Sequence, residues 1–151
     1  MPKILVNGNN LTLNDNDFLA SGGEGSIYVK NKVAYKLYSD VTKMIPLGKI
    51  QELSVLSNPN IIKPENIIYQ NNNPLGYTMR FVNDTYSLCQ TFTKTFKTRE
   101  GLDPQKTLAL VRKLQDIVSF VHSKDILIVD LNEMNFLVSK DFSNVYAIDV
   151  D

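Results

Sequence analysis

Ala20-Ser21-Gly22-Gly23-Glu24-Gly25-Ser26-Ile27-Tyr28-Val29-Lys30-Asn31-Lys32-Val33-Ala34-Tyr35-Lys36-Leu37-Tyr38 sets three glycines between two strand-like runs, Phe18 to Ala20 and Ser26 to Val29. The clearest strand of the chain, Lys32 to Tyr38, follows directly. Glycine tolerates positive φ and lets backbone N–H groups approach phosphate oxygens, so a bend of this kind can cover a nucleotide. A plain hairpin turn fits the same residues. Lys36 stands inside the apolar run Val33-Ala34-Tyr35-Lys36-Leu37, where a charge on a half-buried surface needs a partner. The alternative is an edge-strand lysine directed at water.

On either side, Ile4 to Val6, Leu11 to Leu13, Glu65 to Tyr69 and Leu75 to Val82 are short alternating segments separated by Asn, Gly and Asp clusters. They predict a twisted antiparallel sheet, with Asn71-Asn72-Asn73-Pro74 as its plainest turn. Pro46 to Ser57 breaks the alternation: Leu47, Ile50, Leu53, Val55 and Leu56 fit one helical face behind a first-turn proline. From Asp103 to His122 the period is strongly helical, through Leu110, Leu114, Ile117, Val118 and Val121, with Asp103-Pro104 as cap and first residue. Beyond it, Ile126 to Val129, Asn135 to Val138 and Val145 to Val150 predict short buried strands. The fold class is α+β, strands with one helix followed by a more helical half.

The chain has 151 residues, 43% hydrophobic and 21% charged, which fits one folded unit and excludes wholesale disorder or a disulfide scaffold. Sixteen Lys and Arg balance sixteen Asp and Glu, so nothing global draws the chain to nucleic acid or an acidic membrane. The lone Cys89 and the lack of a long apolar run point to a cytoplasmic protein.

Three oxygen-bearing side chains fall near the ends of the last predicted strands: Asp130 just past Ile126 to Val129, Asn135 opening the next, and Asp149 closing the third. Converged, they would suit Mg²⁺. Taken separately, each is an ordinary turn residue.

In order and spacing these segments resemble the protein-kinase fold, over nearly the whole chain. Ala20 to Gly25 with Ile27 is similar to the glycine-rich loop, Val33-Ala34-Tyr35-Lys36 to the Val-Ala-Ile-Lys strand, and Asp130 with Asn135 to the catalytic-loop pair. Tyr77 to Val82 resembles the fifth strand running into the hinge, with Met79 as gatekeeper. The Gly-Gly-Glu-Gly loop and the Asp149-Val150-Asp151 ending resemble a divergent group of bacterial and phage kinase-like proteins.

The resemblance implies an N-lobe over residues 1–82, a hinge and truncated C-lobe over 83–151, and ATP and Mg²⁺ as cofactors. It implies transfer of the γ-phosphoryl group to a hydroxyl, Ser or Thr of a protein. Lys36 would hold the α and β phosphates, paired with Glu52 of the short helix; Asn135 and Asp149 would hold Mg²⁺; Asp130 would orient the acceptor. Ser21, Gly22, Gly23, Glu24 and Gly25 would cover the phosphates. The adenine would meet Ile27, Ala34, Leu137 and Ile148, with Met79, Arg80 and Val82 along its edge.

The departures from the family are specific. Ala20 replaces the first glycine, Ile128-Val129 the His-Arg before the catalytic Asp, and Asn132 the catalytic-loop lysine. Val129 cannot grip a phosphorylated activation loop, so control by such a phosphate is not expected. Asp151 stands where the motif glycine would be, a further carboxylate beside the metal position. With the chain given ending there, a fragment of a longer kinase and a minimal module are both open, as are a non-catalytic pseudokinase scaffold and a small-molecule kinase of the aminoglycoside type. His122, Cys89 and the cluster Lys94, Lys97 and Arg99 fit structural or solvated roles.

Overall fold

The computed structural model describes residues 1–150 and divides into two compact units. The first comprises Met1–Ser54 with Lys63–Phe81; the second comprises Val55–Ile62 with the described residues from Val82 on.

Seven strands form one antiparallel sheet in the first unit: β1 (Lys3–Val6), β2 (Asn9–Thr12), β3 (Phe18–Ser21), β4 (Gly25–Lys30), β5 (Val33–Tyr38), β6 (Asn66–Gln70) and β7 (Asn73–Arg80). Their order is β2-β1-β6-β7-β5-β4-β3, which puts β5 in the interior between β7 and β4. The tight connections are set by asparagine: Asn31 and Lys32 (φ 52° and 63°) turn β4 into β5, and Asn71 and Asn72 (φ 49° and 63°) turn β6 into β7. Two successive left-handed residues match the twist of paired strands. Lys32 therefore belongs to the turn, one residue before the strand that the sequence predicts to include it.

Side chains alternate across a strand, so the sheet has two different faces. Tyr35 and Leu37 point to a core with Ile4, Leu13 and Ile68. Tyr38 and Tyr77 join Ile50 on the other face, with Met44, Ile45, Ile67 and Met79 packed around them. Ile50 comes from α1 (Leu47–Leu53), which covers this second face. The helix is shorter than Pro46 to Ser57: Pro46 is its N-cap, it ends at Leu53, and Leu47 and Val55 are about half exposed. Ile50 and Leu53 are its buried residues, and Leu56, just past its end, is buried as well.

In the second unit β8 (Thr85–Ser87), β9 (Phe136–Ser139) and β10 (Val145–Ala147) form an antiparallel sheet in the order β10-β9-β8. The segment before Lys63 secures β10: Ala147 N–H donates to Asn60 O at 2.9 Å, and Ile62 N–H donates to Ala147 O at 2.8 Å. Helices α2 (Lys94–Glu100) and α3 (Pro104–His122) complete the unit. As the sequence predicts, Asp103 caps α3, accepting from Lys106 N–H at 2.8 Å with Pro104 in the first turn. Leu110, Ile117 and Val121 are its buried face. Tyr86, Phe96 and Phe142, from β8, α2 and the β9–β10 turn, pack edge-to-face and stacked with ring centroids 4.8 to 6.4 Å apart.

Ile126 to Val129 does not form the predicted strand. Ile126 is buried, but Leu127 and Val129 are 71% and 83% exposed, and the segment pairs with no strand. Its β-branched composition misleads because no partner edge is available to it. Val145 to Val150 likewise stays in the sheet only to Ala147. No helix among the described residues is long and apolar enough to cross a membrane.

The β9–β10 turn supports a first prediction. Asp141 Oδ1 accepts from the Ser139 hydroxyl at 2.6 Å, the Ser143 hydroxyl at 2.7 Å and Ser143 N–H at 3.0 Å. These bonds lower its pKa to about 2. The carboxylate's support for the turn is complete above its unfolded value of about 3.9 and fades as pH falls toward 2. A carboxyl NMR titration with a midpoint near 2 is expected for Asp141; a midpoint near 4 contradicts the hydrogen-bond network.

Candidate functional site

Register explains which candidate residues of the first unit share a face. Lys36 is paired with Ile27 of β4 and Tyr77 of β7, and Ala34 with Met79. Directly opposite residues point the same way, as do residues two apart on a strand. Gly25, Ile27, Ala34, Lys36 and Met79 therefore lie on one face of the sheet, together with Tyr38 and Tyr77. Ala34 is buried, Ile27 and Met79 are half-buried, and Arg80 at the end of β7 is exposed.

Lys36 is a buried cation, its side chain only 10% exposed. Its ammonium lies 2.8 Å from the Glu24 carboxylate and 5.1 and 5.7 Å from the ring centres of Tyr38 and Tyr77. The ion pair and the two π-faces together offset its desolvation. Glu52 does not pair with Lys36 as the kinase resemblance implied. It lies exposed on α1, 3.3 Å from Lys49, because two residues on from the inward-facing Ile50 is about 200° round a helix.

The bend Gly22 to Glu24 joins β3 to β4. Gly22 N–H donates to Gly25 O at 2.9 Å, and Ser39 N–H donates to Glu24 O at 2.9 Å. Neither Gly22 and Gly23 nor Gly25, which opens β4, has a positive φ, so left-handed backbone is not what calls for glycine here. The one that must be glycine is Gly25, where a Cβ would come 2.0 Å from Leu37 O. Gly76, on the other side of β5, is forced in the same way, by Lys36 O at 1.9 Å. Gly22 and Gly23 instead have no atom within 4 Å of an added Cβ, so the bend presents open space beside Ser21 and Glu24, both exposed.

In the second unit the loop before β9 brings together two of the predicted oxygen-bearing residues, Asp130 and Asn135. Asn135 Nδ2 donates to Asp130 O at 3.0 Å and to Asp130 Oδ2 at 3.3 Å. Asn132 caps the short helical turn Glu133–Asn135, its Oδ1 accepting from Met134 N–H at 2.8 Å. Ile148 N–H donates to Asn135 O at 2.9 Å, which ties the residue before Asp149 to the same loop. Asp149 has φ 49°, a left-handed conformation that Asp tolerates better than most residues. Leu137, in the middle strand β9, and Ile148 are half-buried beside this loop, as is Val82 at the start of the unit's main segment. Asp151 lies outside the described residues.

With its nitrogen bonded to Asp130, the Asn135 amide presents its oxygen as a ligand atom. Among the described residues no group of three or more His, Cys, Asp or Glu could hold a metal ion. Asn135 and Asp149 carry oxygen donors of the kind Mg²⁺ takes, one or two from protein beside waters and phosphate. No protein-family model matches this chain, and no curated protein matches it in sequence.

Sequence spacing missed the partners of Lys36. Tyr38 was available from alternation alone, two residues along the same strand. Glu24 required the β4–β5 register, which pairs Gly25 with Tyr38 and so carries the preceding residue alongside the end of β5. Apolar cavities of about 200 and 220 Å³ flank α3, lined in part by Leu88, Phe92 and Leu114; Lys97 reaches the first and Asn132 the second.

Proposed function

We propose that this chain binds MgATP and transfers the γ-phosphoryl group to a hydroxyl, as a kinase-like phosphotransferase acting on Ser or Thr of a protein. The observation that carries this reading is Lys36: a cation buried in mid-sheet, beside an open glycine bend, with its ammonium on a carboxylate. A buried lysine held by an exposed anion is suited to exchanging that anion for phosphate. Asn135 and Asp149 would hold Mg²⁺, which when bound neutralises charge on the transferring phosphate. Asp130 would orient the acceptor hydroxyl, its carboxylate and backbone carbonyl held by Asn135. Ile27, Ala34 and Met79, on the face of the sheet that carries Lys36, supply apolar surface of the kind an adenine ring requires. Val129, 83% exposed, offers no charge to an activation-loop phosphate, so the proposed activity needs none.

A second reading, a nucleotide-binding scaffold without transfer, is favoured by Asn132. It caps the loop and brings no cation to the place where the family has a lysine.

Binding to the native state alone raises stability by about 2.7 kcal/mol at a ligand concentration ~100 times Kd. A thermal-shift titration should show stabilisation by ATP with Mg²⁺, and less by ATP with chelator. No shift up to millimolar MgATP contradicts both readings.

A further inference from the structure

Glu24 sits in the bend with its carboxylate on Lys36 at 2.8 Å, yet its own side chain is 66% exposed. Its main chain is tied down by the bond from Ser39 N–H to Glu24 O, and the bend by the bond from Gly22 N–H to Gly25 O. The carboxylate can therefore swing into water while the bend keeps its shape. A phosphate oxygen and a carboxylate oxygen seek the same ammonium protons. Gly22 and Gly23 leave open space next to that position.

We propose that Glu24 is a displaceable occupant of Lys36, a carboxylate that the phosphates of a nucleoside triphosphate must push aside to bind. The inference rests on the phosphotransferase reading and adds a residue that sets how tightly the nucleotide is held. In the ligand-free state Glu24 stabilises the buried cation. In the bound state the phosphates take over that role, and the carboxylate turns to solvent. Nucleotide affinity is accordingly lower than Lys36 alone would give.

The measurement is calorimetric titration of MgATP into the whole chain and three variants: Glu24→Gln, Lys36→Met and Asp15→Asn, the last an exposed carboxylate outside the bend. An exposed ion pair sets the scale, so Glu24→Gln should tighten binding by about fivefold. Asp15→Asn should leave it unchanged, and Lys36→Met should weaken it. Binding by Glu24→Gln where the wild type shows none would support the proposal still more strongly. If the wild type binds through Lys36 and Glu24→Gln binds equally or more weakly, Glu24 is not a competitor and the proposal fails while the phosphotransferase reading stands. If neither the wild type nor Glu24→Gln binds MgATP, that reading fails and the proposal with it.

Discussion

On the proposed function, Asp130→Asn is expected to lower phosphoryl transfer by about 10²–10⁴-fold, the range that a positioned acid or base contributes, while MgATP affinity stays at the wild-type level. The substitution is nearly isosteric, and one of the two bonds from Asn135 goes to the Asp130 backbone carbonyl at 3.0 Å, so the loop keeps an anchor. Only the carboxylate assigned to the acceptor hydroxyl is lost. Asp149→Asn has the other outcome, loss of Mg²⁺-dependent nucleotide binding, because that carboxylate is assigned to the metal. Steady-state transfer and calorimetric affinity measured on both variants separate the roles. Equal losses of ATP affinity in the two would refute the assignment.

Gly25→Ala is expected to destabilise the first unit by about 3 kcal/mol, at the upper end of overpacking costs. A Cβ there would stand 2.0 Å from Leu37 O and 2.9 Å from both Leu37 C and Tyr38 Cα. All three atoms are backbone of the interior strand β5, which cannot move without disturbing its pairing with β7. Gly22→Ala, with nothing within 4 Å, should change stability by no more than about 0.5 kcal/mol. Chemical denaturation of the two variants provides the comparison. A Gly25→Ala protein as stable as Gly22→Ala would show that the β4–β5 contact is looser than described.

The contrast between these glycines also shows what the sequence could disclose. Alternation located all seven strands of the large sheet to within a few residues, since a half-buried strand must alternate. The Asp103-Pro104 cap and the apolar period of α3 were equally legible, because both signals are local. Ile126 to Val129 had the composition of a strand, but strand formation depends on a neighbouring edge, which composition does not reveal. The helix α2, Lys94–Glu100, has a single buried residue, Phe96, and so carries almost no periodic signal. The brief strand β8, with three residues, is too short to alternate visibly.

The site divides along the same line. Asp130 and Asn135 are five residues apart and meet through a local loop, so spacing alone could pair them. Lys36 was singled out because a charge in an apolar run is conspicuous, but its partner depends on register across two strands. The kinase resemblance implied Glu52 on the short helix; helical geometry turns that residue outward, and the Glu24 carboxylate lies on the ammonium.

Phosphoryl transfer itself is tested most directly with ATP labelled in its γ phosphate, incubated with Mg²⁺, the protein and separate acceptors: a generic Ser/Thr protein substrate, and a panel of sugars and aminoglycosides. The account predicts label on Ser or Thr of protein, Mg²⁺-dependent and lost in Lys36→Met. Label on a sugar or aminoglycoside alone would reassign the substrate, and absence of label on every acceptor, from a preparation that binds MgATP, would contradict the transfer activity.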